Sequence, residues 1–298
     1  IGIGYCSMRA RRENSLKDFY LAGSGVGFLV LVLTLYATQY SGNTLFAFTG
    51  KTFRIGYAWL MSVHFMTAII VVYLVFAPRL HRLAKRESFI TPADFLEHRF
   101  SHRPYTVLAS ITMVVAIGNY LLAQLTAMGL LLQGMTTYEP RTAFVAGVIL
   151  LAVIMLVYET LGGFRAVAWT DFVQGLVMVI GLVMLSLVAL IELGGFSGMT
   201  QKVNQVAPMA LTWMGEKTIA AFFGSMIGML GIGLGYPGQP HVITRYMAAK
   251  DTKTIKQGMW IAFVWGTLMY SSAILLGICG QALFPGLVDP EHLFPTAA

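Results

Sequence analysis

Apolar residues along this chain gather into seven blocks, at residues 24–50, 57–80, 106–135, 142–163, 168–195, 217–243 and 254–284, with most of the charge between them. A helix needs about 20 apolar residues to cross the hydrocarbon of a bilayer, so each block can be a transmembrane helix. They are named here spans A to G. A signal peptide accounts for one such block and a soluble core for shorter ones, so the pattern predicts an all-α polytopic membrane protein. Ahead of span A, Ile1 to Ser7 is apolar and runs into Arg9, Arg11 and Arg12, which reads as the tail of an earlier span.

Two spans break the regular pattern. Span A is interrupted by Gln39-Tyr40-Ser41-Gly42-Asn43-Thr44, and span F carries Gly231-Ile232-Gly233-Leu234-Gly235-Tyr236-Pro237-Gly238-Gln239-Pro240, a run too rich in Gly and Pro to remain a regular helix. Unpaired backbone in lipid is costly, so a broken helix persists only where protein or a hydrated cavity satisfies the freed groups. A pair of such segments is the sequence mark of a secondary-transporter binding site. Span F follows A by five spans, the interval of a five-plus-five inverted repeat in which each half opens with a broken helix. The alternative, glycines that let helices pack closely, is the natural account of Gly224 and Gly228, four apart on one face.

At a broken helix the carbonyls that end one half point at a cation, and the amides that open the other meet a polar or anionic solute. Span A suits this, having no charged side chain between its ends. Carbonyls near Ala37 and Tyr40 are candidates for the cation, and Ser41, Asn43 and the amides around Gly42 for the solute. The alternative for Ser41 and Asn43 is hydrogen bonding to a neighbouring span.

Composition agrees: 57% of the 298 residues are hydrophobic and 11% charged, too little polar surface to coat a soluble globule of this size. The net charge of +7 is placed for a membrane rather than a nucleic acid, since fifteen of the 20 Lys and Arg fall in alternate loops: before A and after B, D and F. That set faces the cytoplasm by the positive-inside rule. Residues 81–103 lie at that surface as an amphipathic linker, with Thr91 and Pro92 opening a helix and Phe89, Phe95, Leu96 and Phe100 on lipid or protein. Cys6 and Cys279 are too far apart in the chain for a motif, and no metal-spaced cluster, nucleophile elbow or phosphate loop is present, so an integral-membrane enzyme has no candidate chemistry.

Three stretches carry a family likeness. GGFRAVAWTDFVQG (Gly162 to Gly175) resembles the signature of the sodium:solute symporter family. GLGYPGQPHVITRYMAA (Gly233 to Ala249) looks like the bacterial sodium/proline symporters, and the region from Gly280 onward like the sodium/pantothenate symporters; LKDFYLAGSGVG before span A fits the same family. The resemblance implies a leucine-transporter-like fold truncated after the seventh core span, residues 1–298 being one transmembrane transporter domain of a longer chain. It implies sodium on the carbonyls of Ala37 and Tyr40, completed by two adjacent hydroxyls on a following span, and solute at Gln39, Ser41, Gly42, Asn43, Tyr236 and Pro240. It also makes Asp171 a way-station for the cation leaving inward. Gln39 stands where the proline symporters have Asp, and Asn43 and Ile232 where they have Trp. Ala58 stands where a bacterial sugar symporter has an acidic residue, which counts against sugars.

Other charged and polar residues keep two readings. Asp171 reads also as a dipole partner at the start of span E or an ion pair with Arg165. Glu159 reads as a partner of Arg165 or an interfacial carboxylate, and His64 as a packing histidine or a proton relay. The expectation is sodium-coupled uptake of a small polar organic solute, of the amino acid or carboxylate class, by alternating access in a bacterial inner membrane, with no cofactor beyond sodium and no nucleic acid partner. The rival expectation is a transporter-like membrane sensory domain of a longer signalling protein.

Overall fold

The structure, a computed structural model, describes residues 6, 15–24, 26–40, 42 and 44–297; of Ser24, Tyr36, Gln39 and Ala262 only the backbone is described. Every predicted span has a helical counterpart. Span A is Phe28–Gln39 followed, beyond the interruption, by a π-helical turn Thr44–Phe48 and a helix Thr49–Ile55. Span B is a 3-10 segment Gly56–Ser62 running into Val63–Glu87, C is Arg103–Met135, and G is Thr252–Leu283. Span F is Ile219–Gly235, a 3-10 turn Tyr236–Gly238, and Pro240–Ala248.

Spans D and E form one helical run, Pro140–Glu192, of 53 residues. At 1.5 Å per residue a straight run of that length reaches about 80 Å, against about 30 Å of hydrocarbon. It bends at Gly163, whose φ of 58° and ψ of −155° are open to glycine alone. A Cβ there would lie 2.7 Å from the Phe19 carbonyl oxygen, so the short helix Leu16–Leu21 packs directly against the bend. Gly56, with φ 64° and ψ −146°, turns the chain between A and B in the same way, with the Ala210 backbone against it.

The loops separate into two sets. At one end Val26 N donates to the Ala248 carbonyl (3.2 Å) and Lys250 N to the Val26 carbonyl (3.1 Å) in a single parallel bridge. There too His81 Nδ1 meets the Tyr246 carbonyl at 2.8 Å, Lys85 donates to the Lys250 carbonyl at 2.5 Å, and Arg165 pairs with Asp18 at 3.0 Å. These contacts gather the segments before A and after B, D and F, the four rich in Lys and Arg. At the other end Gly50 abuts Pro290, Gly56 abuts Ala210, Gly134 abuts Pro295, and Gln281 Nε2 donates to the Phe53 carbonyl. The two sets of loops that differ in Lys and Arg thus lie at opposite ends of the fold.

Helix signals between B and C act as expected: Pro92 opens Pro92–Phe100, and Asp94 Oδ2 accepts the Ile90 and Thr91 amides at 2.7 and 2.8 Å. Phe89 is buried, Phe95 packs on the core and Phe100 is exposed. Spans C, D and E turn Val114, Val115, Ile149, Val177 and Ile180 outward. Among the described residues a Cβ on Gly224 or Gly228 meets nothing within 4 Å, and the close approach is that of Gly233, against the Phe65 carbonyl of span B.

Candidate functional site

The break in span A is held from three sides. The Tyr40 side chain is 1% exposed and turns away from the break, its hydroxyl 3.4 Å from Met66 Sδ on span B and its ring edge-on to Tyr270 on span G. Its carbonyl, at the end of Phe28–Gln39, is therefore what Tyr40 has to offer at the break. Ala37 belongs to the last turn of that helix, whose carbonyls have no intrahelical partner. Gly175 of span E lies beside it: a Cβ on Gly175 would be 3.7 Å from Ala37 Cβ. Gly42 is pressed on span C, since a Cβ there would meet Ala127 Cβ at 2.7 Å. Ser41 and Asn43 lie outside the described residues, as does the Gln39 side chain.

The break in span F is a 3-10 turn followed by extended backbone at Gln239 (φ −65°, ψ 138°), with Pro240 opening the second half. Pro needs no intrahelical donor at that position. The Gln239 carbonyl accepts the Val242 and Ile243 amides at 3.0 and 2.9 Å. Tyr236 sets its ring edge-on to Phe65 of span B.

Tyr120 of span C joins the two breaks. Its hydroxyl donates to the Thr38 carbonyl at 2.8 Å, taking up one of the orphan carbonyls of span A, and its ring stacks on His241 of span F at 5.0 Å and 18°. Gln124, one helical turn along, lies beside Gly42. Several buried polar atoms here have no partner among the described residues: both ring nitrogens of His241, Gln239 Oε1, Gln124 Nε2 and the Tyr270 hydroxyl. A buried polar atom left so costs about 1–3 kcal/mol, so these are groups that a polar solute, an ion or water would satisfy.

Asp171 sits one layer toward the Lys- and Arg-rich end. Arg245 Nη2 donates to its Oδ2 at 2.9 Å and the Thr34 hydroxyl to the same oxygen at 2.5 Å. Arg245 also donates from Nε to the Thr34 carbonyl (3.2 Å) and from Nη1 to the His241 carbonyl (2.7 Å), with its guanidinium over the Phe164 ring. Asp171 thus takes Arg245 as its partner, while Arg165, expected near Asp171 or Glu159, pairs with Asp18. Tyr120, Gln124, His241, Thr34 and Arg245 are absent from the sequence-derived candidates. Tyr120 and Gln124 are polar positions in an apolar span, and Arg245 is a charge just past the break, so the signal was present. Among the described residues no group of three His, Cys, Asp or Glu is placed to hold a metal.

The model of the sodium:solute symporter family matches residues 19–293. Curated relatives include the osmoregulated proline transporter OpuE of Bacillus subtilis strain 168, 29% identical over 95% of this chain and 58% of the relative. The high-affinity proline transporter PutP of the same organism is 30% identical over 98% and 61%. The sodium/proline symporter 2 of Staphylococcus saprophyticus is 30% identical over 98% and 57%. The chain therefore spans about three-fifths of the length of these relatives. It superposes on the substrate-bound outward-open structure of a Na+-coupled sialic acid symporter with a TM-score of 0.77 at 20% identity, over 98% of this chain and 61% of the other. The fold is accordingly leucine-transporter-like.

Proposed function

The chain belongs to the sodium:solute symporter family, and from that premise we propose that the whole protein couples inward sodium movement to uptake of a small polar organic solute by alternating access about the two breaks. The observation that carries this reading is Tyr120, which links the end of the first half of span A to the start of the second half of span F. Two interrupted membrane helices held face to face, with buried unpartnered polar atoms between them, are what a mid-membrane solute site requires.

In this reading the carbonyls of Ala37 and Tyr40 hold sodium, a hard cation that takes oxygen ligands, and a following span supplies the remaining oxygens. Gln39, Ser41, Gly42, Asn43, Tyr236 and Pro240 surround the solute. The proline transporters among the relatives favour an amino acid. Ala58 is fully buried and packs near Gly215 at the outer end of span B, where it offers nothing to a sugar. The comparisons give no support to a sensory domain.

In this reading the contacts among A, B, E and F keep the inner side closed: the Val26 bridge to Ala248 and Lys250, the His81 bond to Tyr246, and the Thr34–Asp171–Arg245 cluster. Inward release requires these to part. A sodium ion arriving at Asp171 replaces the guanidinium as its counter-charge, so cation exit and separation of E from F are one event. One charge crossing 100 mV is worth about 2.3 kcal/mol, which sustains roughly forty-fold accumulation before any sodium gradient is added.

Uptake by the full-length protein in proteoliposomes, screened over amino acids and small carboxylates under sodium, lithium or proton gradients, tests this. Sodium-driven accumulation of one solute is expected. Accumulation driven by protons alone, or by none of the gradients, overturns it.

A further inference from the structure

The Lys- and Arg-rich end of span B has two unlike faces. Tyr73, Ala77, Leu80, His81 and Ala84 are buried, and from that side His81 meets the Tyr246 carbonyl of span F at 2.8 Å. At about 100° per residue, Arg79, Arg82 and Arg86 fall together on the opposite side, and all three are exposed. The same stripe continues along the helix through Val75 and Val71, each 54% exposed. An exposed apolar stripe that turns basic within about 6 Å has the pattern of a helix face passing from hydrocarbon to headgroups.

These charges are little neutralised. Arg86 pairs with its neighbour Glu87 at 2.6 Å, and among the described residues no acid lies within ion-pair distance of Arg79 or Arg82. Span G repeats the pattern: Val264 and Trp260, 58% and 77% exposed, lead at helical spacing to Lys256 and Lys253, which are exposed as well. A Cβ on Gly258 would lie 3.9 Å from the Tyr73 hydroxyl, so B and G approach each other there, and both basic groups lie beyond that contact toward the same end. An exposed Trp beside basic residues at the end of a span marks the boundary between hydrocarbon and water. A protein segment packed on the arginine stripe would have to bring acids for two guanidinium groups, whereas lipid phosphates lie at that depth already.

We propose that the stripe Arg79, Arg82 and Arg86 is a docking site for an anionic phospholipid, with its acyl chains along Val71 and Val75 and its phosphate on the guanidinium groups of Arg79 and Arg82. Arginine suits the role because its forked donors match two phosphate oxygens. The leaflet is the cytoplasmic one by the positive-inside rule. Sodium and solute take no part in the site. The lipid sits back to back with the His81 contact, on the far side of the same helix end.

Native mass spectrometry of the full-length protein, released from vesicles of phosphatidylglycerol, phosphatidylcholine and phosphatidylethanolamine in equal parts, tests the proposal. Retention of phosphatidylglycerol about twenty-fold over the two zwitterionic lipids is expected, at roughly five-fold for each of two arginines. Arg79→Gln with Arg82→Gln should abolish that preference. Arg54→Gln, which removes an exposed charge at the opposite end of the fold, should leave it intact. A second route needs no substitution: raising salt from about 0.1 to 1 M shortens the Debye length from about 10 to 3 Å, and should lower the preference of the wild-type protein several-fold. Equal retention of the three lipids, as expected if the rest of the chain or a second copy covers the stripe, overturns the proposal. So does a preference that survives the double substitution or is indifferent to salt, and so does release of the lipid by millimolar inorganic phosphate, which would assign the arginines to a small soluble anion.

Discussion

Arg245 on span F reaches Asp171 on span E at 2.9 Å, across 74 residues of sequence, and the pair is almost wholly withdrawn from solvent, with side-chain exposures of 8% and 14%. Removing one partner of a buried pair leaves the other charge uncompensated and is commonly worth about 3–5 kcal/mol. The pair therefore ties E to F, with Thr34 of span A as its third member, and in the proposed cycle it is the latch between them.

Asp171→Asn should release that latch. In a background with Cys6 and Cys279 replaced, a cysteine at Ala248, which is fully buried, should react faster with a thiol reagent added from the cytoplasmic side than it does with Asp171 in place. Turnover at saturating sodium should fall while equilibrium solute binding is retained. Unchanged labelling and unchanged turnover would leave Asp171 as a helix-terminal charge only.

Gly42 tests the contact between the break in A and span C. Gly42→Ala places its Cβ 2.7 Å from that of Ala127, an overpacking worth about 1–3 kcal/mol, and should lower both thermal stability and uptake. Ala127→Gly in the same protein should recover much of the loss, and a double-mutant cycle measures the coupling. Additive effects would mean that the two residues do not touch.

The sequence disclosed the spans because a run of about 20 apolar residues is a compositional fact with one physical outcome in lipid, and it disclosed the ends of D and E because Gly162 and Gly163 interrupt such a run. It disclosed which loops share an end of the fold through the spacing of Lys and Arg. It could not disclose partners: Asp171 had Arg165 nearby in sequence, and only the approach of F to E puts Arg245 there instead. Gly224 and Gly228 have the spacing of a packing motif, yet among the described residues that face meets nothing, because small-residue spacing marks a face without saying what lies against it. Tyr120 was missed for a related reason: with Gln124 it marks a polar face on span C without saying that the two breaks lie against it.

Gly163→Ala tests the bend. A residue with a side chain at φ 58° and ψ −155° is strained by about 1–3 kcal/mol, and the Phe19 carbonyl stands in the way of its Cβ. Lower melting temperature and poor recovery are expected by fluorescence-detected chromatography. Gly181→Ala, in the same helical run and with open space around it, should instead gain about 0.5–1 kcal/mol. Equal behaviour of the two variants would contradict the bend.

Tyr120→Phe removes one hydrogen bond from the Thr38 carbonyl and keeps the ring on His241. At about 0.5–1.5 kcal/mol for such a bond, the half-saturating sodium concentration should shift by about two- to ten-fold, with expression unchanged. No shift in sodium dependence would place Tyr120 outside the machinery of the break.

The most direct measurement is equilibrium binding of the transported solute to the purified full-length protein, with and without sodium, in wild type, Ser41→Ala and Tyr236→Ala. If the two breaks hold cation and solute together, sodium tightens solute binding and solute tightens sodium binding by the same factor. The two substitutions then weaken solute binding by about ten-fold or more, the worth of one hydrogen bond or one packed ring in a buried site. Solute binding that is indifferent to sodium, or untouched by both substitutions, would contradict the account.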